Sequence, residues 1–479
     1  MCFLSALEAI RQEWLDAVVR FQRDPGRAQS EAAWSPALDL ASLDELRAIQ
    51  SAKLPLAVRF AYECIPFYRR KLDRIGLEPG DVRGLDDLTK IPVTTKQEMA
   101  EDLLENPPWG TYTSVDDRCW RERGWQLFAS SGTTSRARSF RYTRFDRRMW
   151  AWSDARAMWA MGFRPGRDSA LLAFGYGPHV WLWGVHYALD LMGIPILTGG
   201  GLDTRTRARF IEEYRPTILC CTPSYALYLA AVMRDMNIDP ASTAVRYLFC
   251  AGEPGFGIPA TRERLERTWG AELHEFYGCT EAAPAAGGYT CSTVAADKRG
   301  PAATHLMSDT QIWETVDPDT LAPAPAGGRG LSVATNLVSE ASPQLRFLVG
   351  DFTVLDHSRC DCGRNHPRAI GGFQGRADDM LNVRGVTLFP SAVEDAVRRV
   401  AEAGDEFEIL VTRVRELDVL TVRVEPAPAV ANSQQGELRR AIESEIVARC
   451  ELRPEVEIVP AGTLPKSEFK AKRVRDLRP

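Results

Sequence analysis

The 479-residue sequence predicts an α/β protein, a large domain of layered strands and helices followed by a small α+β domain. Three observations carry that prediction. From 125 to about 350, short apolar runs alternate with longer amphipathic segments, the pattern of α/β layers with largely parallel strands. Near Gly375 the alternation becomes shorter and changes style. The length also exceeds what one hydrophobic core supports, so two or three domains are expected. The boundaries fall at 1–33, a helical preface, then 34–375, then 376–479.

Each element has its own justification. Leu7, Ile10, Trp14, Val18 and Phe21 share one helical face in the preface. From Trp34 to about Asp117 the pattern is helical, with runs starting at Leu43 and Leu56, and Thr94 or Thr95 is placed to cap the helix that follows. Strands are predicted at Ala170–Phe174, Gly193–Leu197, Thr217–Cys221 and Arg246–Cys250, with helices at Thr206–Tyr214 and Ser224–Met236 between them. The loops Gly199–Gly201 and Gly252–Gly257 follow such strands, at the carboxyl ends where open α/β sheets bind ligands. The small domain reads as helix Ser391–Ala401, strands Glu406–Val411 and Leu417–Val424, helix Glu437–Arg449 and strand Val456–Val459, ending in a lysine-bearing tail.

Composition excludes several classes of function. With 45% hydrophobic and 26% charged residues and a formal net charge of −5, the chain reads as a soluble globular protein. The absence of a basic block argues against nucleic acid or an anionic membrane as partner. The N-terminus lacks the basic start of a signal peptide. The most apolar window, Val180–Leu197, contains His186, Asp190 and Pro195, so it reads as buried core. Eleven cysteines without a signal peptide suggest reduced thiols and a cytoplasmic location.

The chemistry concentrates in the loop after Leu127. Ser130, Ser131, Thr133 and Thr134 surround Gly132, with Arg136 or Arg138 adding charge. Gly132 allows close backbone approach to an anion, and hydroxyls beside main-chain N–H groups are the parts of a triphosphate cradle. The Walker spacing is absent. Of 59 basic residues only eight are lysine, and three of those, Lys466, Lys470 and Lys472, fall in the last fourteen positions. A compact ammonium there does what a guanidinium fork does not.

Further segments join this loop: Ala251-Gly252-Glu253-Pro254-Gly255, Phe276-Tyr277-Gly278-Cys279-Thr280-Glu281, Gln344–Asp351, Gly375–Pro390 and Leu464–Arg473. In this order the set resembles the acyl-adenylate-forming (ANL) superfamily, most nearly its phenylacetate–CoA ligase-like branch, from Trp34 to Asp476. The resemblance implies a large adenylate-forming domain with mixed and parallel sheets and a small mobile C-terminal domain. It implies ATP-dependent conversion of a carboxylic acid, aromatic by expectation, to acyl-AMP with release of pyrophosphate. Transfer to coenzyme A would follow. The alternatives are an aryl-acid adenylating enzyme that loads the phosphopantetheine of an acyl carrier protein or another nucleophile, and a non-catalytic nucleotide-binding relative.

The same resemblance implies the residue roles. Ser131, Gly132, Thr133, Thr134 and Arg136 would hold the outer phosphates. Thr280 would contact the α-phosphate, and Glu281 would ligate Mg²⁺, a hard cation suited to oxygen ligands. Gly252, Glu253, Pro254 and Tyr277 would form the adenine site, Asp351 would accept both ribose hydroxyls, and Arg376 would assist it. Lys470 would bridge acid and α-phosphate, with Lys472 the alternative. Asp378 would be the hinge. Tyr176, His179, Trp181, Trp183 and Phe256, in the segments after the strands, are the substrate-pocket candidates, together with Gly278. A structural zinc is implied on Cys291, His305, Cys360 and Cys362, a normal S₃N donor set; His357 and His366 are rival ligands. The resemblance also allows a homodimer.

Overall fold

The computed structural model describes residues 2–20, 22, 26–130, 138–384, 386–414, 417–466 and 473–478, with the backbone alone described at 2–5, 378 and 414. Two compact units emerge. The first comprises Met1–Ser169, Gly175–Ile196 and Phe276–Ile370, and the second Ala170–Phe174, Leu197–Glu275 and Gly371–Pro479.

In chain order the principal elements begin with α1 (Cys2–Val19), α2 (Leu43–Cys64), α3 (Lys96–Glu105), β1 (Gly124–Ala129), β2 (Ser139–Thr143) and α4 (Arg144–Met161). Next come β3 (Ala170–Leu172), α5 (Val180–Met192), β4 (Ile196–Thr198), α6 (Thr204–Tyr214), β5 (Ile218–Cys221), α7 (Pro223–Asp235), β6 (Tyr247–Ala251) and α8 (Pro259–Trp269). A run of strands follows: β7 (Glu272–Cys279), β8 (Ala283–Tyr289), β9 (Ala303–His305), β10 (Gln311–Val316), β11 (Arg329–Asn336), β12 (Phe347–Asp356) and β13 (Arg368–Ile370). The chain ends with β14 (Leu381–Val383), β15 (Val386–Leu388), α9 (Pro390–Arg399), β16 (Ala403–Val414), β17 (Leu417–Pro426), α10 (Gln435–Cys450), β18 (Glu455–Ile458) and β19 (Val474–Asp476).

In the first unit, α1 docks through the face that the sequence predicts. Trp14 and Val18 are buried, and Trp14 stacks on Phe60 of α2 at 4.8 Å and meets Phe145 of α4 edge-on at 5.7 Å. Helix α2 runs unbroken through Pro55, where separate runs were predicted, because Leu54, Ala57, Val58 and Ala61 bury one continuous face. Thr95, not Thr94, caps α3, in a reciprocal box with Glu98; Thr94 instead pairs its backbone with the Arg346–Leu348 segment. Helix α4 is buried almost throughout and is capped by Thr143 in a second box with Asp146.

The expectation of largely parallel strands to about 350 needs correction. β3, β5 and β6 are parallel, joined by helical crossovers. From β7 onward the described strands of the first unit pair with one another antiparallel, in the order β10-β11-β12-β13-β9-β8-β7. The reason is connection length: β7 and β8 are joined by a short turn, which only antiparallel neighbours can use. The predicted strand at Gly193–Leu197 begins three residues later, because Gly193 takes φ +72° and closes α5.

In the second unit the strands run β7-β6-β5-β3-β4. Residues beyond Gly371 add a four-stranded sheet, β18-β17-β16-β19, with α9 and α10 packed on it. Phe407, Ile409 and Val411 alternate inward from β16, as do Leu420, Val422 and Val424 from β17. The predicted tail ends in an unpredicted strand, β19, which pairs in parallel with Ile409–Val411. Among the described residues no helix is long and apolar enough to cross a membrane, and no disulfide joins the cysteines.

Candidate active site

The Thr280–Glu281 segment is the tip of the β7–β8 hairpin, and its carbonyls are fixed one by one. The Tyr142 hydroxyl donates to the Thr280 carbonyl at 2.5 Å, Ser342 Oγ to that of Glu281 at 2.7 Å, and Asn336 Nδ2 to that of Ala282 at 2.9 Å. Burial raises the Tyr142 phenol well above its ordinary value, so it stays a donor. Gly278 is required by the hairpin itself, since a Cβ there would sit 2.6 Å from the Ala283 carbonyl oxygen.

The Glu281 carboxylate meets Arg138, whose Nη2 lies 2.9 Å from Oε1, both side chains being buried. Sequence reasoning offered Arg138 only as a second source of charge for the phosphate loop. Its pairing with a carboxylate 143 positions away has no local signature. Tyr142, Asn336 and Ser342 went unassigned for the same reason.

The nucleoside candidates of this unit also converge. The Tyr277 hydroxyl donates to Asp351 Oδ2 at 2.5 Å, joining β7 to β12. Burial, reinforced by the Asp351 charge, keeps this phenol protonated far above its usual range. The aromatic candidates lie at the start of α5: Tyr176 meets Trp183 edge-on at 5.3 Å, and Trp183 donates to the Gly177 carbonyl at 3.0 Å. His179 caps α5 without a side-chain cap bond, and Trp181 is half-buried in its first turn.

In the second unit, Gly252 turns the chain after β6 with φ +90°. Glu253 Oε1 accepts the Ser224 N–H at 2.7 Å, placing a carboxylate at the start of α7. Burial raises the pKa of Glu253, and the Ser224 bonds oppose that. Gly255 admits no side chain, because a Cβ would meet Pro223 at 2.5 Å. Glu275 accepts the N–H groups of Gly255 and Phe256 at 3.1 and 3.0 Å, which fixes the turn around Pro254. Phe256 is buried beneath the Arg262 guanidinium. Arg376 opens a short 3₁₀ turn, Ala377–Asp379, that contains the backbone of Asp378, and its guanidinium lies 3.7 Å from Asp379. Lys466 reaches over the Tyr228 ring at 5.5 Å. Ser131, Gly132, Thr133, Thr134, Arg136, Lys470 and Lys472 lie outside the described residues.

A separate cluster forms on the first unit. The Sγ atoms of Cys291, Cys360 and Cys362 and a ring nitrogen of His305 all lie within 4.8 Å of one another. Cys291, the distant member in sequence, reaches the others by capping the helix Ser292–Ala296. His366 is engaged elsewhere, accepting the Ser308 N–H at 3.1 Å and contacting the Leu38 carbonyl. Hydrogen bonds from Cys291, and from His305, lower the Cys360 and Cys362 pKa values, while the bonds to Cys360 and Cys362 raise that of Cys291. Three sulfurs and one imidazole at this spacing fit a closed tetrahedral zinc site.

Comparison with known proteins shows the family. The family model described as AMP-binding enzyme matches residues 151–333, and that of the AMP-binding enzyme C-terminal domain matches 385–478. The chain belongs to the acyl-adenylate-forming superfamily, in its phenylacetate–CoA ligase-like branch, and is an AMP-forming acid ligase. It is 33% identical over 461 residues to a phenylacetate–coenzyme A ligase of Thermus thermophilus, covering 93% of this chain and 99% of that one. It is 32% identical over 445 residues to that of Escherichia coli, covering 92% and 97%. The crystal structure of 2-hydroxyisobutyryl-CoA ligase in the postadenylation state, in complex with 2-HIB-AMP, superposes with a TM-score of 0.87 at 29% identity, covering 95% of each chain.

Proposed function

We propose that the chain activates an aromatic carboxylic acid with ATP and passes the acyl group to coenzyme A. A carboxylate oxygen bonds to the α-phosphorus, the bond to the bridging oxygen breaks, and pyrophosphate leaves with the electron pair. The CoA sulfur, having lost its proton, then bonds to the acyl carbon and AMP departs. Charge spreads over phosphate oxygens in the first step, so positioning and electrostatics are what the protein supplies.

The observation that most supports the reading is the hairpin tip of the first unit. It carries Thr280 and Glu281 on three fixed carbonyls, while the same strand presents Tyr277 bonded to Asp351. Thr280 would donate to the α-phosphate and Asp351 would accept the ribose hydroxyls. Glu281, whose Oε1 pairs with Arg138, would offer its other carboxylate oxygen to Mg²⁺, which takes one or two protein carboxylates and fills its shell with water and phosphate oxygens; bound there, it would neutralise phosphate charge. Ser131, Gly132, Thr133, Thr134 and Arg136 would hold the outer phosphates. Gly252, Glu253 and Pro254 would line the adenine site, Arg376 would assist at the ribose, and Lys470 would stand where charge gathers. Tyr176, His179, Trp181 and Gly278 would border the acid, and edge-on rings such as the Tyr176–Trp183 pair suit a planar aryl group. Asp378 would be the hinge between the 34–375 and 376–479 domains, and Cys291, His305, Cys360 and Cys362 would hold a structural zinc.

Acid-dependent pyrophosphate–ATP exchange over a panel of aryl and alkyl acids, followed by thioester formation with CoA alone, tests the reading. Exchange with an aryl acid, and thioester without any carrier protein, is the expected result. Exchange confined to alkyl acids would remove the aromatic assignment, and exchange without thioester would remove coenzyme A. In the same assays Asp351→Ala should weaken ATP binding by about 2–4 kcal/mol, the scale of two charge-assisted hydrogen bonds. Calorimetry should show acid affinity unchanged.

A further inference from the structure

We propose that α1 is a working part of the adenylation site and that Arg11 is a positioning residue for the Glu281 turn. The proposal rests on the reading of Glu281 given above. Arg11, Trp14 and Val18 share one face of α1, and the Trp14 stack on Phe60 fixes that face against the first unit. Arg11 Nε donates to Glu340 Oε1 at 2.5 Å, and Arg123 Nη1 stands 3.4 Å from the same oxygen. Only 2% of the Glu340 side chain is exposed.

From Glu340 a chain of short contacts leads to the hairpin tip. Its other oxygen accepts the Thr143 hydroxyl at 2.7 Å. Thr143 shares its cap with Asp146, and Asp146 accepts the Glu340 N–H at 2.8 Å and the Ser339 hydroxyl at 3.0 Å. Ser339 Oγ accepts the Ser342 N–H at 3.1 Å, and Ser342 Oγ donates to the Glu281 carbonyl at 2.7 Å. Two buried carboxylates, Glu340 and Asp146, therefore organise the turn that holds Glu281, with Arg11 and Arg123 facing Glu340.

Removing Arg11 leaves the buried Glu340 carboxylate with Arg123 alone, 3.4 Å from the same oxygen, an under-compensated charge that must take up a proton or shift toward Arg123 and water. Either response at Glu340 moves the turn that contains Ser339 and Ser342, because the Glu340 backbone is part of it. The Glu281 carbonyl is one hydrogen bond further along.

The test compares Arg11→Met, Arg11→Lys, Glu13→Gln and Glu281→Gln in the full chain, by pyrophosphate–ATP exchange against MgATP concentration and by melting temperature. Glu13, also on α1, pairs with Arg59 of α2 at 2.8 Å, on an exposed face away from Glu340. Arg11→Met should raise KM for MgATP by about tenfold, the scale of coupling through a contiguous network, with KM for the acid within twofold. Arg11→Lys should recover most of that loss, and Glu13→Gln should match the wild type. Should Arg11→Met fail to fold, Arg11→Gln is read by the same measure. Wild-type KM for MgATP in Arg11→Met, or an equal loss in Glu13→Gln, overturns the proposal. If Glu281→Gln keeps the wild-type MgATP dependence, the reading of Glu281 falls and the proposal with it. If Glu281→Gln loses that dependence while Arg11→Met does not, the proposal alone falls.

Discussion

Replacing Lys470 with alanine should lower acid-dependent pyrophosphate–ATP exchange by about 10²–10³-fold, the range for removing one electrostatic partner of a developing charge. Thioester formation from a supplied acyl-adenylate should stay within severalfold of wild type, because that step expels AMP and gathers no new charge between acid and α-phosphate. Two features motivate the choice. The family resemblance places Lys470 at the bridging position, and an arginine-biased chain sets three of its eight lysines in this short stretch. A guanidinium keeps the positive charge but spreads it over a planar fork, so Lys470→Arg should recover only part of the activity. Lys472→Ala is the companion measurement. Wild-type exchange in Lys470→Ala with exchange lost in Lys472→Ala would move the role two residues along. Loss of both half-reactions in equal measure would show that the lysine serves the structure instead.

The second large effect is on stability. Metal analysis of protein prepared without chelator should find about one zinc per chain, and Cys360→Ser or Cys362→Ser should abolish it. A closed four-ligand site contributes its binding energy to folding. Its loss should lower the apparent melting temperature by about 5–10 °C, on the scale of 2–4 °C per kcal/mol for domains of this size. Pyrophosphate–ATP exchange at 25 °C should stay within twofold, since such a site has no open position for substrate. The cluster joins Cys291 ahead of Ser292–Ala296, His305 on β9 and the Cys360–Cys362 turn, so metal loss frees three segments at once. Protein free of zinc with a wild-type melting temperature would show that the thiols are buried and unmetallated.

Much of this protein is legible without coordinates wherever the signal is local. The Trp14–Val18 face, a cap at Thr94 or Thr95, the parallel strands near 170, 218 and 247 and the alternation in β16 and β17 follow from periodicity and turn chemistry, each contained within one element. Ordered motifs carried the family assignment, because Thr280, Glu281 and Asp351 stand in short segments that can be read in place. The antiparallel run from β7 to β13 was not legible, since strand direction depends on which neighbour a strand finds. The runs starting at Leu43 and Leu56 form one helix through Pro55, because they bury a shared face.

The sequence by itself determined the elements, the family and the residue types available for chemistry, because these depend on neighbours within a few positions. Tertiary structure alone decided who partners whom. Arg138 meets Glu281 across 143 positions, Tyr277 meets Asp351 across 74, and Arg11 meets Glu340 across 329. It also brought Cys291 together with Cys360 and Cys362, far apart in the chain. The physical reason is that burial makes unpaired charges and hydrogen-bonding groups costly, so each must find a partner inside the fold. Which partner it finds depends on sheet register and helix packing, and no single segment of the chain encodes that.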